Sequence, residues 1–247
     1  MVVVGVSDDE DDVSLHARDP SRQLVADTGR GPRLVLPPVS IVWRCLLSVD
    51  EYVAAGKEVE VPRPDCPGCG DPMRFRSGYG RHVRCGGGTG RRIWIRRGAC
   101  VACGRSHALL PSFLLERRLD VVDDIGAVIE VVCDGQSVVG GVARSRDVPY
   151  TTARDWLRRF SARAPMLAAG FGALAVSVGA EAGIDALASG ACGRAVGALR
   201  LVVAGLGALS PSLWVLASLA TGGKLLATAT DPPWTVLGGR RLMPPVP

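Results

Sequence analysis

Lysine is almost missing from this chain of 247 residues: Lys57 and Lys224 are the two among 29 basic side chains. Arginine is therefore the general cation, supplied to any solvated face by composition alone, so a single arginine argues for nothing and only clustering does. Charge as a whole is sparse at 21%, against 47% hydrophobic residues, which excludes a disordered chain. No secretory signal opens the sequence, because the apolar run Met1–Val6 is short and the acidic run Asp8–Asp12 follows at once. The reducing cytoplasm is the expected compartment. Carboxylates are scarce after Phe160, where Glu181, Asp185 and Asp231 stand alone in 87 residues. A two-metal catalytic centre needs three carboxylates gathered on a larger domain, so an enzyme is not expected. The glycine run Gly86–Gly90 lacks the lysine and hydroxyl residue of a phosphate-cradling loop and reads as a hairpin turn.

The charge that is present is segregated. Residues 1–65 hold 7 basic and 12 acidic side chains, residues 66–163 hold 17 and 9, and residues 164–247 hold 5 and 3. Within the middle part, residues 72–115 carry nine arginines and no acid, the footprint of a surface that meets a polyanion.

Eight cysteines in a chain of this length do not make a disulfide miniprotein. Four form two pairs in matching contexts, Cys66-Pro-Gly-Cys69-Gly70 and Cys100-Val-Ala-Cys103-Gly104, while Cys45, Cys85, Cys133 and Cys192 are scattered. A two-residue spacer lets one tight turn aim both thiolates at one ion, and the glycine after it lets the backbone fold back beneath the sulfurs. Facing each other, the two turns make a four-cysteine tetrahedron for Zn²⁺. A thioredoxin-like redox pair would occur once, at a strand-to-helix junction. The interval between the pairs, residues 70–99, exceeds the usual compact spacing and is absorbed by a long hairpin. Cys85, His82 and His107 lack a partner at the same spacing and are read as structural.

Alternation describes that hairpin. Met73 and Phe75 share one face of the first strand and Arg74 and Arg76 the other; Ile93 and Ile95 oppose Arg92, Trp94 and Arg96 on the second. If the apolar faces coincide, the opposite face offers Arg74, Arg76, Arg92 and Arg96 around Trp94, a surface for phosphates and stacked bases.

After Leu109–Leu115 the period becomes helical. Val122, Ile125, Ile129 and Val132 recur at steps of three and four, Asp120 is the expected N-cap, and the helix ends at Asp134-Gly135. A short helix over 137–145, a turn at Arg146–Pro149 and a helix over 150–160 complete a helix-turn-helix pattern, with Ala143, Val148, Ala153 and Trp156 at its packing positions. Arg146 stands where an apolar residue is usual, and Gly140-Gly141 weakens the middle helix. The outward face of the last helix holds Tyr150, Thr151 and Arg154, which suit base edges, and Arg158, Arg159 and Arg163, which suit phosphates.

Residues 164–180 and 201–223 carry no charge. The second stretch is long enough to span a bilayer, but Pro211 between Ser210 and Ser212 divides it into helices over 195–209 and 212–221, so packed Ala/Gly-rich helices in a bundle or a homodimer are expected and a membrane anchor is not.

The runs Ser48-Val-Asp-Glu-Tyr-Val, Cys66-Pro-Gly-Cys-Gly, Arg92-Ile-Trp-Ile-Arg-Arg, Cys100-Val-Ala-Cys-Gly-Arg-Ser-His-Ala-Leu-Leu-Pro and Val148-Pro-Tyr-Thr-Thr-Ala-Arg-Asp-Trp-Leu-Arg-Arg-Phe together resemble an uncharacterised actinobacterial family, a domain of unknown function. Its zinc ribbon and helix-turn-helix look like the N-terminal DNA-binding half of insertion-sequence transposases. The resemblance covers residues 41–163 and touches the tail Gly238–Pro247. It implies DNA binding and supplies no catalytic residue.

The resulting expectation is an α+β chain: a disordered extension over 1–40, a β zinc ribbon over 41–110, an all-α helix-turn-helix over 111–163 and an Ala/Gly-rich helical tail over 164–247. The expected function is non-enzymatic, zinc-dependent binding of double-stranded DNA in the cytoplasm, at the nucleoid, by a transposase-derived or regulatory protein. A zinc-dependent protein-interaction adaptor, membrane-tethered through the apolar stretch, is the alternative.

Overall fold

In the computed structural model, residues 40–86, 88–180 and 190–227 are described. A four-stranded sheet comes first and a bundle of helices follows, so the chain is α+β. The expectation for residues 1–39 and for the tail beyond Ala227, Trp234 included, lies outside the described residues.

Strand β1 (Ile41–Trp43) leads into helix α1 (Val49–Ala55), whose start is closed by a reciprocal capping box. The Ser48 hydroxyl accepts from the Glu51 backbone N–H, and the Glu51 carboxylate accepts from the Ser48 N–H at 2.7 Å. A 3₁₀ turn over Gly56–Glu58 follows. Strands β2 (Met73–Cys85) and β3 (Thr89–Cys100) form the long antiparallel hairpin, and β4 (Ser106–Pro111) completes the sheet in the order β1-β4-β3-β2, with β1 parallel to β4. The hairpin absorbs the long interval between the cysteine pairs.

The expected gathering of four arginines around Trp94 does not form. Next to the cysteines, Phe75 stands opposite Gly98 and Arg76 opposite Arg97; nearer the tip, Tyr79 stands opposite Ile95 and Gly80 opposite Trp94. Between these registers Ser77 and Gly78 face Arg96 alone, a β-bulge with one extra residue on β2. Because side chains alternate, one added residue exchanges the two faces of the strand. Phe75 therefore joins Trp94 and Arg96, and the Arg96 guanidinium lies 5.3 Å from its ring centroid. Arg74 and Arg76 turn to the side of Ile93 and Ile95. The Trp94 face is also partly covered by α1 and the 3₁₀ turn: Tyr52 donates its hydroxyl to the Trp94 carbonyl, Arg96 donates to the Lys57 carbonyl at 2.6 Å, and the Lys57 ammonium lies 4.9 Å from the Trp94 ring centroid.

Helix α2 (Val122–Cys133) buries Val122, Ile125, Val128 and Ile129, as its periodicity requires. Asp120 is not its N-cap. Val121 occupies that position in extended backbone, and the Asp120 carboxylate instead pairs with Arg84 at 2.8 Å. The cause is a short strand-like contact with the hairpin, in which Arg84 N–H donates to the Leu119 carbonyl and Val121 N–H donates to the Arg84 carbonyl. The hairpin tip thereby seats on the start of α2, where Gly86 N–H also donates to the Asp124 carboxylate.

Helices α3 (Val139–Ser145) and α4 (Tyr150–Ser161) follow, then α5 (Ala164–Ser177), α6 (Ala191–Leu206, extended by a 3₁₀ turn to Leu209) and α7 (Leu213–Ala220). Pro211 separates α6 from α7, as read from the sequence. One continuous core holds α2 through α7, with Trp156, Phe160, Phe171 and Trp214 in it. Gly126 admits the Trp214 ring: a Cβ at that position would lie 2.0 Å from indole atoms. The Trp214 indole N–H then donates to Glu130, which with Asp134 also holds the Arg200 guanidinium of α6. Among the described residues one helix, Ala191–Leu209, is long and apolar enough to cross a membrane, by length and composition alone.

Candidate metal centre and basic helical surface

The two cysteine turns are built alike. Cys66 N–H donates to the Asp71 carbonyl and Cys100 N–H to the Arg105 carbonyl, both at 2.8 Å; Gly70 N–H and Gly104 N–H donate back to the first cysteine of each pair. Gly70 and Gly104 hold φ of 78° and 72°, the left-handed backbone that lets each turn fold under its sulfurs. Backbone N–H groups also reach sulfur, from Gly68 to Cys66 and from Cys103 to Cys100, each at 3.4 Å.

Facing across the sheet end, the turns bring Cys66 Sγ to 3.5 Å from Cys103 Sγ and Cys69 Sγ to 3.3 Å from Cys100 Sγ, with all four sulfurs within 4.8 Å of one another. Four sulfurs at a tetrahedral Zn–S distance of about 2.3 Å stand about 3.8 Å apart, so the donor set fits a single metal ion. Without a cation the cluster ionises unevenly. Burial opposes charge on Cys100, but the Cys103 N–H and the neighbouring thiols donate to its sulfur and pull it down to about 7. Cys103 is raised, first by burial and then by the thiols that spend their protons on Cys100 and Cys66. Cys69 is lowered by the Asp71 N–H yet raised overall by the proton it shares with Cys100.

Sequence reasoning set His107 aside, and the structure brings it to the cluster. Its ring is buried on β4 opposite Gly98, with Nε2 3.7 Å from Cys66 Sγ. Arg105 lies over the first turn, where a Cβ on Gly68 would meet its guanidinium at 2.3 Å. The only available signal was their position just after the second turn, on the strand that must return past the first. Cys85 stays outside the cluster, at the far end of the hairpin.

The second surface is helical. Ala143, Ala153 and Trp156 are buried and Val148 half-buried, so α3 and α4 meet on the positions the pattern assigned. The turn between them closes with Val148 N–H donating to the Ala143 carbonyl while Asp147 takes φ of 51°. Arg146 is exposed. Gly141 accommodates the Ser137 hydroxyl, at 2.7 Å from a would-be Cβ, so that weakness in α3 serves packing. Tyr150, Thr151, Arg154 and Arg158 are exposed along α4, and Arg159 is half-buried. Arg158 and Arg159 both pair with Asp155, at 2.8 and 2.7 Å, and Arg118 reaches the same carboxylate at 3.4 Å. Burial pushes the Asp155 carboxyl up, but the Arg158 and Arg159 hydrogen bonds outweigh it and hold the group below the usual carboxylate range. Asp155 was not singled out in the sequence, where it is one acid among arginines.

Of the ribbon arginines, Arg74, Arg76 and Arg92 are exposed, on different faces, and Arg96 is half-buried against Phe75. Glu181, Asp185 and Asp231 lie outside the described residues.

Residues 66–145 match the family described as Domain of unknown function (DUF6431), about a third of the chain. The match holds both cysteine turns, the hairpin, α2 and α3, and stops before α4. No curated protein and no solved structure matches the chain.

Proposed function

We propose that this chain is a non-enzymatic DNA-binding protein, transposase-derived or regulatory, in which a zinc-held ribbon supports a helix-turn-helix. The observation that carries the reading is the pairing of α3 and α4 on Ala143, Ala153 and Trp156 while Tyr150, Thr151, Arg154 and Arg158 stay open to solvent. A helix presented this way has the dimensions and side chains to enter a major groove. Tyr150, Thr151 and Arg154 read base edges; Arg158 and Arg159 meet phosphates. Cys66, Cys69, Cys100 and Cys103 hold Zn²⁺, which ties the sheet end together and performs no chemistry on a substrate. Arg74, Arg76 and Arg92, exposed on different faces of the ribbon, are candidates for backbone contacts that only one face can make at a time, whereas Arg96 serves the sheet through Phe75 and the Lys57 carbonyl. Helix α6 is a packing helix in this reading, tied to α2 through Arg200.

Titration of the zinc-loaded protein with random-sequence duplex at two salt concentrations tests the reading. Binding that weakens steeply with salt supports it, and no binding at low salt overturns it. Arg154→Ala lowers discrimination between sequences, while Arg158→Ala weakens binding to all of them and flattens the salt dependence by about one contact. A second reading, a zinc-dependent adaptor, rests on the exposed Leu46 and Leu209, on segments joined by a hydrogen bond from Arg44 to the Leu209 carbonyl. Under it the protein ignores duplex, and Leu46→Ser leaves the fold intact but abolishes its association.

A further inference from the structure

The segment leaving the sheet toward α2 carries Arg117 in left-handed backbone, φ 57°, and turns the next residue, Arg118, inward onto α4. Its guanidinium spans two anchors, donating from Nη1 to Asp155 and from Nη2 to the Leu226 carbonyl at 3.4 Å. Arg81 reaches the same segment from β2 and donates to the Leu115 and Arg118 carbonyls, so the Arg118 backbone is held by the sheet. Three guanidinium groups from two parts of the chain thereby share the one Asp155 carboxylate.

One carboxylate cannot saturate three planar forks, which together present far more N–H donors than it accepts. A structural clamp between the segment and α4 needs Arg118 alone. The cluster gathers like charges in a partly buried place, and the strain shows in its members. Arg118 is pulled below the ordinary arginine range by burial and then by the charge of Arg159, and Arg163 follows for the same two causes in the same order. The Arg158 side chain is 67% exposed, so the cluster opens to solvent on the outer side of α4. Guanidinium forks fixed at one spot match the oxygen spacing of a phosphate group.

We propose that Arg118, Arg158 and Arg159, arranged by Asp155, form an anion site that takes a phosphate group. Its source is a backbone phosphodiester of duplex DNA, or else free inorganic phosphate. The duplex source rests on the function proposed above and adds Arg118, from the segment before α2, to the contacts. Asp155 becomes the group that orders the donors, where its charge alone would make it an obstacle.

The zinc-loaded full chain is compared with Arg118→Gln and Asp155→Asn. For the duplex source, Arg118→Gln weakens random-duplex binding about 3- to 10-fold at low salt and lowers the salt slope by about one. Asp155→Asn also weakens binding, although it makes the surface more positive. Wild-type affinity and slope in Arg118→Gln, or tighter binding by Asp155→Asn, overturns the site while the duplex reading stands. If the wild-type protein binds no duplex, the functional reading fails, and the site is decided by inorganic phosphate. A phosphate-dependent rise in unfolding midpoint at constant ionic strength, present in wild type and lost in Arg118→Gln, keeps it as a free-phosphate site; no such rise overturns it. Should Arg118→Gln not fold, Asp155→Asn carries the comparison: weaker duplex binding, or loss of the phosphate-dependent rise, keeps the site, and unchanged or tighter binding overturns it.

Discussion

Around Tyr52, Met73, Ile93, Ile95 and Leu109 the sheet buries a modest apolar set, and Cys66 and Cys100 belong to it. Around Trp156, Phe160, Phe171 and Trp214 the helices bury a larger one, and no metal-site residue belongs to it. At the sheet end closest to the cysteines Arg74, Arg76 and Arg97 are exposed, while Met73, Cys66 and Cys100 are buried. A metal ion held by the four sulfurs would tie the two cysteine turns together there. The helices face the opposite balance, small Ala and Gly side chains allowing close approach between α5 and α6, and close packing holds them together with the Arg200 ion pairs and the Trp214–Glu130 hydrogen bond. The difference predicts that metal dependence is local to the sheet, and the hairpin tip is one of the places where the two regions are joined, with Arg44 to Leu209 and Ser218 to Leu114 as others.

Metal removal is the strongest way to break the comparison. A chelator, or Cys66→Ser, withdraws a linkage worth about 10 kcal/mol in small structural zinc sites. Amide exchange then rises across β2 and β3 and stays slow in α2, α4 and α6; uniform loss of protection would show one cooperative unit. Gly126→Ala acts on the other region. Its Cβ collides with Trp214, and overpacking of this kind costs about 1–3 kcal/mol. The thermal midpoint of the helices falls while zinc stoichiometry holds, and Trp214→Ala in the same chain relieves the collision.

Asp120→Ala tests the joint. It strands Arg84, whose partner carboxylate is largely buried, for a loss of about 1–2 kcal/mol. The thermal midpoint falls while zinc stoichiometry holds, and an unchanged midpoint would show that the Arg84–Asp120 pair does not join the regions. The smallest effect concerns pH. Cys100 sits at about 7 against the ordinary thiol value of 9.0, a depressed group. In the metal-free protein its contribution is therefore full above about pH 9 and is lost as pH falls through about 7. Supplied zinc competes with protons for the same sulfur and moves the loss to lower pH; Trp94 fluorescence against pH, with and without chelator, reads the difference.

Local chemistry made much of this legible beforehand. Each cysteine turn is five residues with its glycine, and its hydrogen bonds close within six, Cys66 to Asp71 and Cys100 to Arg105, so spacing alone announced it. The α2 periodicity, the Arg146–Pro149 turn and the break at Pro211 are likewise near-neighbour effects. The bulge at Ser77-Gly78 was not legible, because register depends on which strand carries the extra residue, and that choice exchanged the faces of Arg74 and Arg76. Asp120 looked like a helix cap because a cap needs only the residues beside it, yet Arg84 outbid them from 36 positions away.

What the amino acids determined by themselves is the pair of metal-ready turns, the helical periods and the concentration of arginine in the middle of the chain, since each follows from interactions a few residues long. Tertiary structure alone decided that the turns meet, that His107 and Arg105 close over them, and that three arginines share Asp155. Those outcomes depend on distances between segments that only the packed sheet and helices set.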